Sequence, residues 1–323
     1  MRCALRWGMD SKRTKLGFGE VKRRAPPNEL VGHTVLDRYH VEGELGSGAM
    51  GVVYRGRHMR LDRSVAIKVM HDHLVHERTL VERFRREAEI AGRLHHPNVV
   101  SVIDVGELPD KRQVLVMELA VGESLDELMA QPMPRDRIVR VLSQLLRGLD
   151  HAHAAGLVHR DLKPANVIVE AGDVARIVDF GIAVLQEYEN EGSERLTASG
   201  MIVGTPLYMA PEQAKGEMID HRADLYSLGV IVFELLANRP PFEGTAMEVA
   251  LKKIDRDMPP IDGVDPLLDR FMRKLAARSR EQRFSSAHDA LAVLELIDRD
   301  PAAAAGELGI MDVAKALATI SLA

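Results

Sequence analysis

The chain has 323 residues, of which 46% are hydrophobic and 28% charged, and its formal net charge is -5. It is long enough for a large core, and its charge gives no general attraction to nucleic acid or to a membrane surface. The single cysteine, Cys3, excludes an intrachain disulfide and a cysteine-based metal site. The longest apolar run, 228–237, is half of what a bilayer span needs, and no signal peptide is evident. We therefore expect a cytoplasmic protein without a membrane span.

The first third of the chain is dominated by strand patterns. Residues 1–38 are basic, contain two consecutive prolines and show little periodicity, which predicts a disordered arm. A helix is predicted over 77–94, because Leu80, Phe84, Ala88 and Ala91 recur at helical spacing. Strands are predicted at 39–46, 52–58, 64–70, 99–105 and 113–118. These elements predict a small five-stranded β lobe with one helix over residues 39–119.

Helical periodicity takes over from residue 120. Helices are predicted at 135–155, 220–237, 246–254, 266–277 and 286–297. A strand-rich island at 157–181 interrupts them, and such irregular segments often carry function. The Ala-rich tail, 298–323, has Ile310, Val313, Leu317 and Ile320 at a spacing that would place them on one helix face. The predicted class is α+β, with the small lobe followed by a large, mainly helical lobe over residues 120–297.

Residues 46–51, "GSGAMG", contain the glycine spacing G-x-G-x-x-G, which two phosphate-binding designs share. One is the strand-to-helix turn of dinucleotide-binding oxidoreductases, and the other is a β-hairpin that covers a nucleoside triphosphate. Val52, Val53 and Tyr54 follow and favour a second strand. No acidic residue ends a clear βαβ unit. The hairpin is therefore the favoured interpretation.

Phosphoryl transfer requires cations for the phosphates, oxygen ligands for a metal and a group that orients the attacking hydroxyl. Lys68 lies in the apolar run "VAIKV" and needs a counterion, which Glu87 on the next predicted helix could supply. In "HRDLKPAN", Asp161 can orient a hydroxyl, Lys163 can neutralise charge, and Asn166 can bind metal through its amide oxygen. Asp179 of "DFG" offers a hard oxygen ligand suited to Mg²⁺.

The order and spacing of these motifs resemble the Hanks-type (eukaryotic-like) protein kinases, and most closely their bacterial serine/threonine branch. The resemblance covers residues 39–297. The motifs that carry it are "LGSGAMGVVY", "VAIK", "HRDLKPAN", "DFG", "GTPLYMAPE" and "DLYSLGVIVFELL".

The resemblance implies a two-lobed protein-kinase fold that binds ATP with Mg²⁺, or with Mn²⁺ in its place. The pocket would have Val53 and Ala66 above the adenine, Ile168 below it and Met117 as gatekeeper. Backbone groups of residues 118 and 120 would meet the adenine edge. The implied ATP-contacting residues are Leu45, Gly46, Ser47, Gly48, Ala49, Met50, Gly51, Val53, Ala66, Lys68, Glu87, Met117, Glu118, Ala120 and Ile168.

The resemblance also assigns the chemistry. Lys68 would bind the α/β-phosphates and pair with Glu87, Asn166 and Asp179 would hold the metal, and Asp161 would be the catalytic base. The "DLKPAN" form is typical of serine/threonine kinases. The implied catalytic residues are Lys68, Asp161, Lys163, Asn166 and Asp179.

Other residues would have architectural roles. His159 would stack on Phe180, Asp224 would accept backbone N–H bonds, and Glu212 would pair with Arg283. Arg280 stands where the family usually has proline, and we expect a minor local effect. The implied structural residues are His159, Arg160, Phe180, Thr205, Glu212, Asp224 and Arg283; Thr205 would bond Asp161 or Lys163.

The polar loop between Asp179 and Glu212 would carry regulatory phosphorylation. Thr197, and after it Ser199, are the best-placed hydroxyls, and a phosphate there would bind Arg160. We expect an active serine/threonine protein kinase that acts on proteins and phosphorylates its own loop. A nucleotide-binding pseudokinase scaffold is the alternative, and pairing of two chains through the small lobe stays open. His71, His73 and His76 are expected to be solvated surface residues rather than a metal site.

Overall fold

The structure is a computed structural model that describes residues 29–180 and 206–310. Its small lobe is one antiparallel sheet, in the order β1-β2-β3-β4-β6-β5, with a helix packed on it. The elements are β1 (Thr34–Val35), β2 (Tyr39–Ser47), β3 (Gly51–His58), β4 (Arg63–Met70), α1 (Arg78–Ala91), β5 (Val102–Glu107) and β6 (Gln113–Glu118). Helix α1 buries the predicted face, Leu80, Phe84, Ala88 and Ala91.

The sheet has six strands rather than the predicted five, because it begins inside the segment that was predicted to be a disordered arm. Strand β1 pairs with the start of β2, with Val35 opposite Tyr39. Val35 is buried with Tyr39 and Val41 in a separate cluster on the outer face of the sheet. A two-residue strand is too short to show alternation, so periodicity could not predict it. The prediction of disorder is therefore wrong for residues 29–38.

The large lobe begins with a three-stranded sheet and continues as a helical layer. The first part contains β7 (Gly122–Ser124), α2 (Leu125–Leu128), α3 (Arg135–Ala154), a 3₁₀ turn (Pro164–Asn166), β8 (Val167–Glu170) and β9 (Val174–Ile177). The second part contains α4 (Pro211–Lys215), α5 (Arg222–Ala237), α6 (Ala246–Asp255), α7 (Pro266–Leu275), α8 (Ala287–Arg299) and α9 (Pro301–Glu307).

Helix α5 is the central element of the large lobe. Its residues 223–235 are all buried, as expected for a helix that is apolar on every side. Gly229 allows the close approach of α7, because a Cβ at this position would lie 2.7 Å from the Cβ of Ala276. Helix α5 therefore lies in the core of the large lobe, and its polar side chains Asp224 and Ser227 bond neighbouring loops.

The part of the tail that the structure describes is helical and packed. Ala304, Ala305 and Leu308 are buried, and Arg270 Nε donates to the Leu308 carbonyl at 3.0 Å. Ile310 packs against the core, whereas Val313, Leu317 and Ile320 lie outside the described residues. None of the described helices is long and apolar enough to cross a bilayer.

Candidate active site

The glycine-rich segment is the turn of a β-hairpin. Strands β2 and β3 are antiparallel, with Gly46 opposite Val53 and Ser47 opposite Val52, and Gly48 N–H donates to the Gly51 carbonyl at 2.9 Å. A Cβ at Gly51 would collide with the Val69 carbonyl on β4, so glycine is required there. The hairpin prediction is confirmed, and the dinucleotide-binding alternative, which needs a helix after the glycines, is wrong.

A histidine that was expected to be solvated holds this turn. His71, just after β4, places Nε2 2.9 Å from the Gly48 carbonyl, and its backbone N–H donates to the Met50 carbonyl at 3.0 Å. Its ring stacks on that of His73, with 5.5 Å between the centroids. His71 is partly exposed, as expected, and in addition it holds the glycine-rich turn, which was not expected. The described residues contain no group of three His, Cys, Asp or Glu side chains that could hold a metal.

The apolar residues of the predicted adenine pocket are buried side chains. In the sheet, Ala66 on β4 lies opposite Met117 on β6, and Lys68 lies opposite Val53 on β3. The set belongs to one buried cluster and comprises Leu45, Val53, Ala66, Met117, Ala120 and Ile168. The backbone N–H of Glu118 donates to the Ser101 carbonyl, and the carboxylate of Glu118 binds Arg63 and Arg176, each at 2.5 Å. The N–H and the carboxylate of Glu118 are thus bonded within the protein, and the contact of backbone groups of residues 118 and 120 with the adenine edge stays a prediction.

The catalytic loop, residues 159–166, is fixed by Asp224 of α5. The carboxylate of Asp224 accepts the backbone N–H groups of His159 and Arg160, each at 2.8 Å, and lies 2.8 Å from His153 Nε2. Burial raises the pKa of Asp224, but the bonds to these groups and the nearby histidines outweigh it and lower the pKa overall. Asp224 therefore stays ionised and holds the loop, as predicted.

Within this loop the predicted catalytic groups contact one another. Lys163 Nζ lies 2.6 Å from Asp161 Oδ2, and Asn166 Nδ2 donates to the Asp161 carbonyl at 2.9 Å. Because the amide nitrogen of Asn166 is bound in this way, its oxygen is the group left to accept a metal. His159 stacks on Phe180 with 4.9 Å between the ring centroids, as predicted.

The ion pairs at the centre of the site differ from the prediction. Lys68 Nζ is bonded to Asp179, and Glu87 is bonded to Arg160 at 2.7 Å, so the predicted pair of Lys68 with Glu87 is wrong for this structure. Burial raises the pKa of Glu87, with Arg160 in opposition. Burial also raises the pKa of Asp179, but the Lys68 ammonium outweighs it and the pKa is lowered overall. The partly buried carboxylates of Glu87 and Asp179 are each paired with a cation in this way.

Backbone strain accompanies these contacts. Arg160 and Asp179 adopt φ values of 65° and 56°. Residues other than glycine rarely occupy this left-handed region. Each such residue costs about 1–3 kcal/mol, and the cost persists only where the surroundings fix the conformation. Here the surroundings are Asp224 for Arg160 and Lys68 for Asp179. Arg160 and Asp179 thus place strained backbone in the two turns that carry the polar groups of the site.

Comparison with known proteins decides the family. The protein kinase domain matches residues 39–293. The chain belongs to the protein kinase family. Its domain is of the Hanks-type bacterial serine/threonine branch, and its relatives are named accordingly.

Two curated relatives and one solved structure illustrate the match. The serine/threonine-protein kinase pkn3 of Myxococcus xanthus is 38% identical over 86% of this chain and 53% of its own length. PknL of Mycobacterium tuberculosis is 39% identical over 80% of this chain and 65% of its own length. The chain thus spans less than two thirds of either relative. The crystal structure of the M. tuberculosis PknI kinase domain matches with a TM-score of 0.64 and 28% identity, over 82% of this chain and 98% of that one.

In this kinase domain the Glu212–Arg283 pair is buried and bidentate. Arg283 donates to the two carboxylate oxygens at 2.6 and 2.7 Å, and its side chain is 0% exposed. The predicted pair of Glu212 with Arg283 is therefore present. Arg280, at the usual proline position, donates to the Met218 carbonyl at 2.7 Å and therefore links segments 62 residues apart.

Sequence reasoning overlooked one support of the catalytic loop. The Gln213 side chain on α4 donates to the Arg160 carbonyl at 2.9 Å, next to Asp161. Gln213 is buried and directly follows Glu212. Its position beside that residue was the available signal in the sequence, whereas its burial is seen only in the structure. The predicted residues Thr197, Ser199 and Thr205 lie outside the described residues.

Proposed function

We propose that the protein transfers the γ-phosphate of ATP to serine or threonine hydroxyls of protein substrates. The observation that carries this proposal is the catalytic loop, in which Asp161, Lys163 and Asn166 are bonded to one another. Asp224 fixes the same loop to the central helix. The names of the relatives and the family support the same activity.

Each group has a role that its chemistry supports. Asp161 orients the acceptor hydroxyl and takes its proton, and Lys163 offsets charge on the phosphate in transfer. Lys68 binds the α- and β-phosphates once a nucleotide competes with Asp179 for its ammonium. The amide oxygen of Asn166 and the ionised Asp179 would hold Mg²⁺, or Mn²⁺, because such hard cations prefer oxygen ligands. The metal would supply charge that neutralises the phosphates.

The ion pairs of this structure belong, in our proposal, to a resting arrangement. Arg160 is engaged with Glu87, and Lys68 with Asp179. A phosphate on Thr197 or Ser199 would carry roughly -1.5 to -2 charge and would attract Arg160. Glu87 would then lose its partner and could pair with Lys68. Autophosphorylation of the loop would thus activate the enzyme.

The test is phosphate transfer from radiolabelled ATP with Mg²⁺ by the purified chain, followed by mapping of the labelled residues. We expect label on serine and threonine only. Lys68→Met and Asp161→Asn should each remove transfer while the circular dichroism spectrum stays unchanged. Asp62→Asn is the matched control, because Asp62 lies exposed on the turn between β3 and β4. Full transfer by Asp161→Asn would refute the role of Asp161, and no transfer by the wild type would favour the pseudokinase scaffold.

Three further expectations remain proposals. Pairing of two chains through the small lobe, a cytoplasmic location and the absence of nucleic-acid partners rest on the sequence and on the family resemblance alone. Sedimentation velocity over a range of concentrations would test the first of them. A single monomeric species at all concentrations would contradict it.

A further inference from the structure

Helix α6 carries a lysine that is fully buried. Lys253 is 0% exposed, and it shares the inner face of the helix with Val249 and Ala250. Burial of a lysine amine away from water destabilises the folded protein unless the amine is hydrogen-bonded. The next residue back, Lys252, lies on the outside of the same helix and bonds the Glu243 carbonyl at 2.6 Å. Lys253 therefore needs hydrogen-bond acceptors in the interior of the protein, whereas Lys252 finds its acceptor at the surface.

The partners of Lys253 are backbone carbonyls of an irregular segment 44 and 46 residues earlier in the chain. Its Nζ donates to the carbonyls of Leu207 and Met209, the latter at 2.9 Å. The Tyr226 ring on α5 lies 5.2 Å from Nζ. Burial lowers the pKa of Lys253 well below its usual range, with the Glu234 carboxylate in opposition. The two carbonyls are therefore the hydrogen-bond acceptors of the buried amine.

The residue between them is held by α5. The Tyr208 carbonyl accepts the Ser227 hydroxyl at 2.8 Å, and the Tyr208 hydroxyl donates to Glu234 at 2.6 Å. Three consecutive carbonyls, of residues 207–209, are therefore bound by side chains of α5 and α6. A partly buried segment outside helices and strands needs such donors, because its carbonyls have no regular backbone partners. Lysine suits the task, since its donors sit on a long stem and can reach two carbonyls at once.

The segment 206–210 is linked to the catalytic loop through helix α4. It leads directly into α4, where Gln213 binds the Arg160 carbonyl at 2.9 Å, adjacent to Asp161. The segment belongs to the motif "GTPLYMAPE", whose Thr205 is expected from the family resemblance to bond Asp161 or Lys163. Its backbone position therefore bears on how an acceptor protein lies across Asp161, and not on how ATP is held between the lobes.

We propose that Lys253, with Ser227, is a positioning residue that fixes the backbone of residues 207–209 as a surface for the acceptor segment of the protein substrate. This inference rests on the kinase activity proposed above. Neither side chain touches the reacting atoms. Their loss should therefore weaken the use of acceptor protein while leaving the use of ATP unchanged.

The test compares Lys253→Met, which keeps the stem but removes the donors, with Lys252→Met on the same helix. Steady-state kinetics would use dephosphorylated casein as acceptor, with slow ATP hydrolysis in the absence of casein as the second readout. We expect Lys253→Met to lower kcat/KM for casein about tenfold, which corresponds to the loss of one or two neutral hydrogen bonds. Its KM for ATP and its casein-free hydrolysis should stay within about twofold of wild type, as should all values for Lys252→Met.

Ser227→Ala keeps the inference testable if thermal melting shows that Lys253→Met is unfolded. We expect this smaller change to lower kcat/KM for casein about threefold and to leave ATP hydrolysis unchanged. An unchanged kcat/KM for casein in the folded variants would overturn the inference. An equal loss of casein phosphorylation and ATP hydrolysis would do the same, because it would indicate a general structural role. No transfer by both wild type and Lys252→Met would instead refute the kinase activity, and this inference with it.

Discussion

Arg160 and Glu87 form an ion pair of 2.7 Å that joins the catalytic loop of the large lobe to helix α1 of the small lobe. Lys68, which the sequence assigned to Glu87, is bonded to Asp179 instead. These two ion pairs contain four charged side chains. In the proposed active enzyme the same four side chains would have different partners. An exchange of partners, triggered by the proposed loop phosphate that would attract Arg160, would therefore change activity.

Glu87→Gln should lower the activity of the loop-phosphorylated enzyme by about tenfold or more, because the amide cannot form the ion pair that orients Lys68 on the phosphates. Glu89→Gln is the matched control, since Glu89 lies exposed on the same helix. Its activity should stay within about twofold of wild type. Phosphate transfer to casein is the measurement, and equal rates for the two variants would contradict the proposed exchange.

Arg160→Gln should uncouple activity from phosphorylation of the loop. The Arg160 side chain binds Glu87 in the resting arrangement and would bind the loop phosphate in the active one. Glutamine can form neither ion pair, so phosphorylation should no longer change the partner of Glu87. The backbone of residue 160 is still fixed by Asp224 and Gln213, so Asp161 should keep its place. Phosphatase treatment should lower wild-type activity about tenfold or more and should change the variant by less than about twofold. A variant that still responds like wild type would argue against this role.

Thr197→Ala combined with Ser199→Ala should leave the enzyme in its resting arrangement. We expect activity near that of phosphatase-treated wild type, because no loop phosphate can then attract Arg160. Mass spectrometry of the active wild type should find phosphate on Thr197 first. Wild-type rates in the double variant would show that the loop phosphate lies elsewhere or has no effect.

His71→Leu should weaken ATP binding by loosening the glycine-rich turn. The ring lies 2.9 Å from the Gly48 carbonyl, and leucine cannot replace this bond. Loss of one neutral hydrogen bond predicts a rise of about threefold to tenfold in KM for ATP. His76→Leu is the control, because His76 is an exposed histidine five residues further along the chain. Equal KM values for both variants would refute the anchoring role.

Arg283→Met should destabilise the large lobe strongly. It would leave the Glu212 carboxylate, which is 4% exposed, without its bidentate partner. Removal of one member of a buried pair costs about 3–5 kcal/mol in the free energy of unfolding. Urea unfolding would measure the loss, and Arg299→Met at the exposed end of α8 should cost less than about 0.5 kcal/mol. Comparable losses in the two variants would contradict the importance of the buried pair.

The sequence by itself determined the order of most elements, and it named the groups to which the proposed mechanism gives catalytic roles. Helix α1 buries the four residues whose spacing predicted it, and α5 lies within two residues of its predicted start. Hydrophobic periodicity is a local property, so it survives without knowledge of the fold. The catalytic loop followed for a similar reason, since Asp161, Lys163 and Asn166 are close in the chain and must be close in space.

Only the tertiary structure decided which distant groups meet. Glu87 had two cations within reach of a plausible fold, Lys68 and Arg160, and the placement of α1 against the catalytic loop selected Arg160. Lys253 found its carbonyl partners 44 and 46 residues away, on a segment without periodicity. Charge pairing and the satisfaction of buried polar groups depend on distances of a few ångströms between separate elements. Spacing along the chain carries no record of those distances, and packing alone sets them.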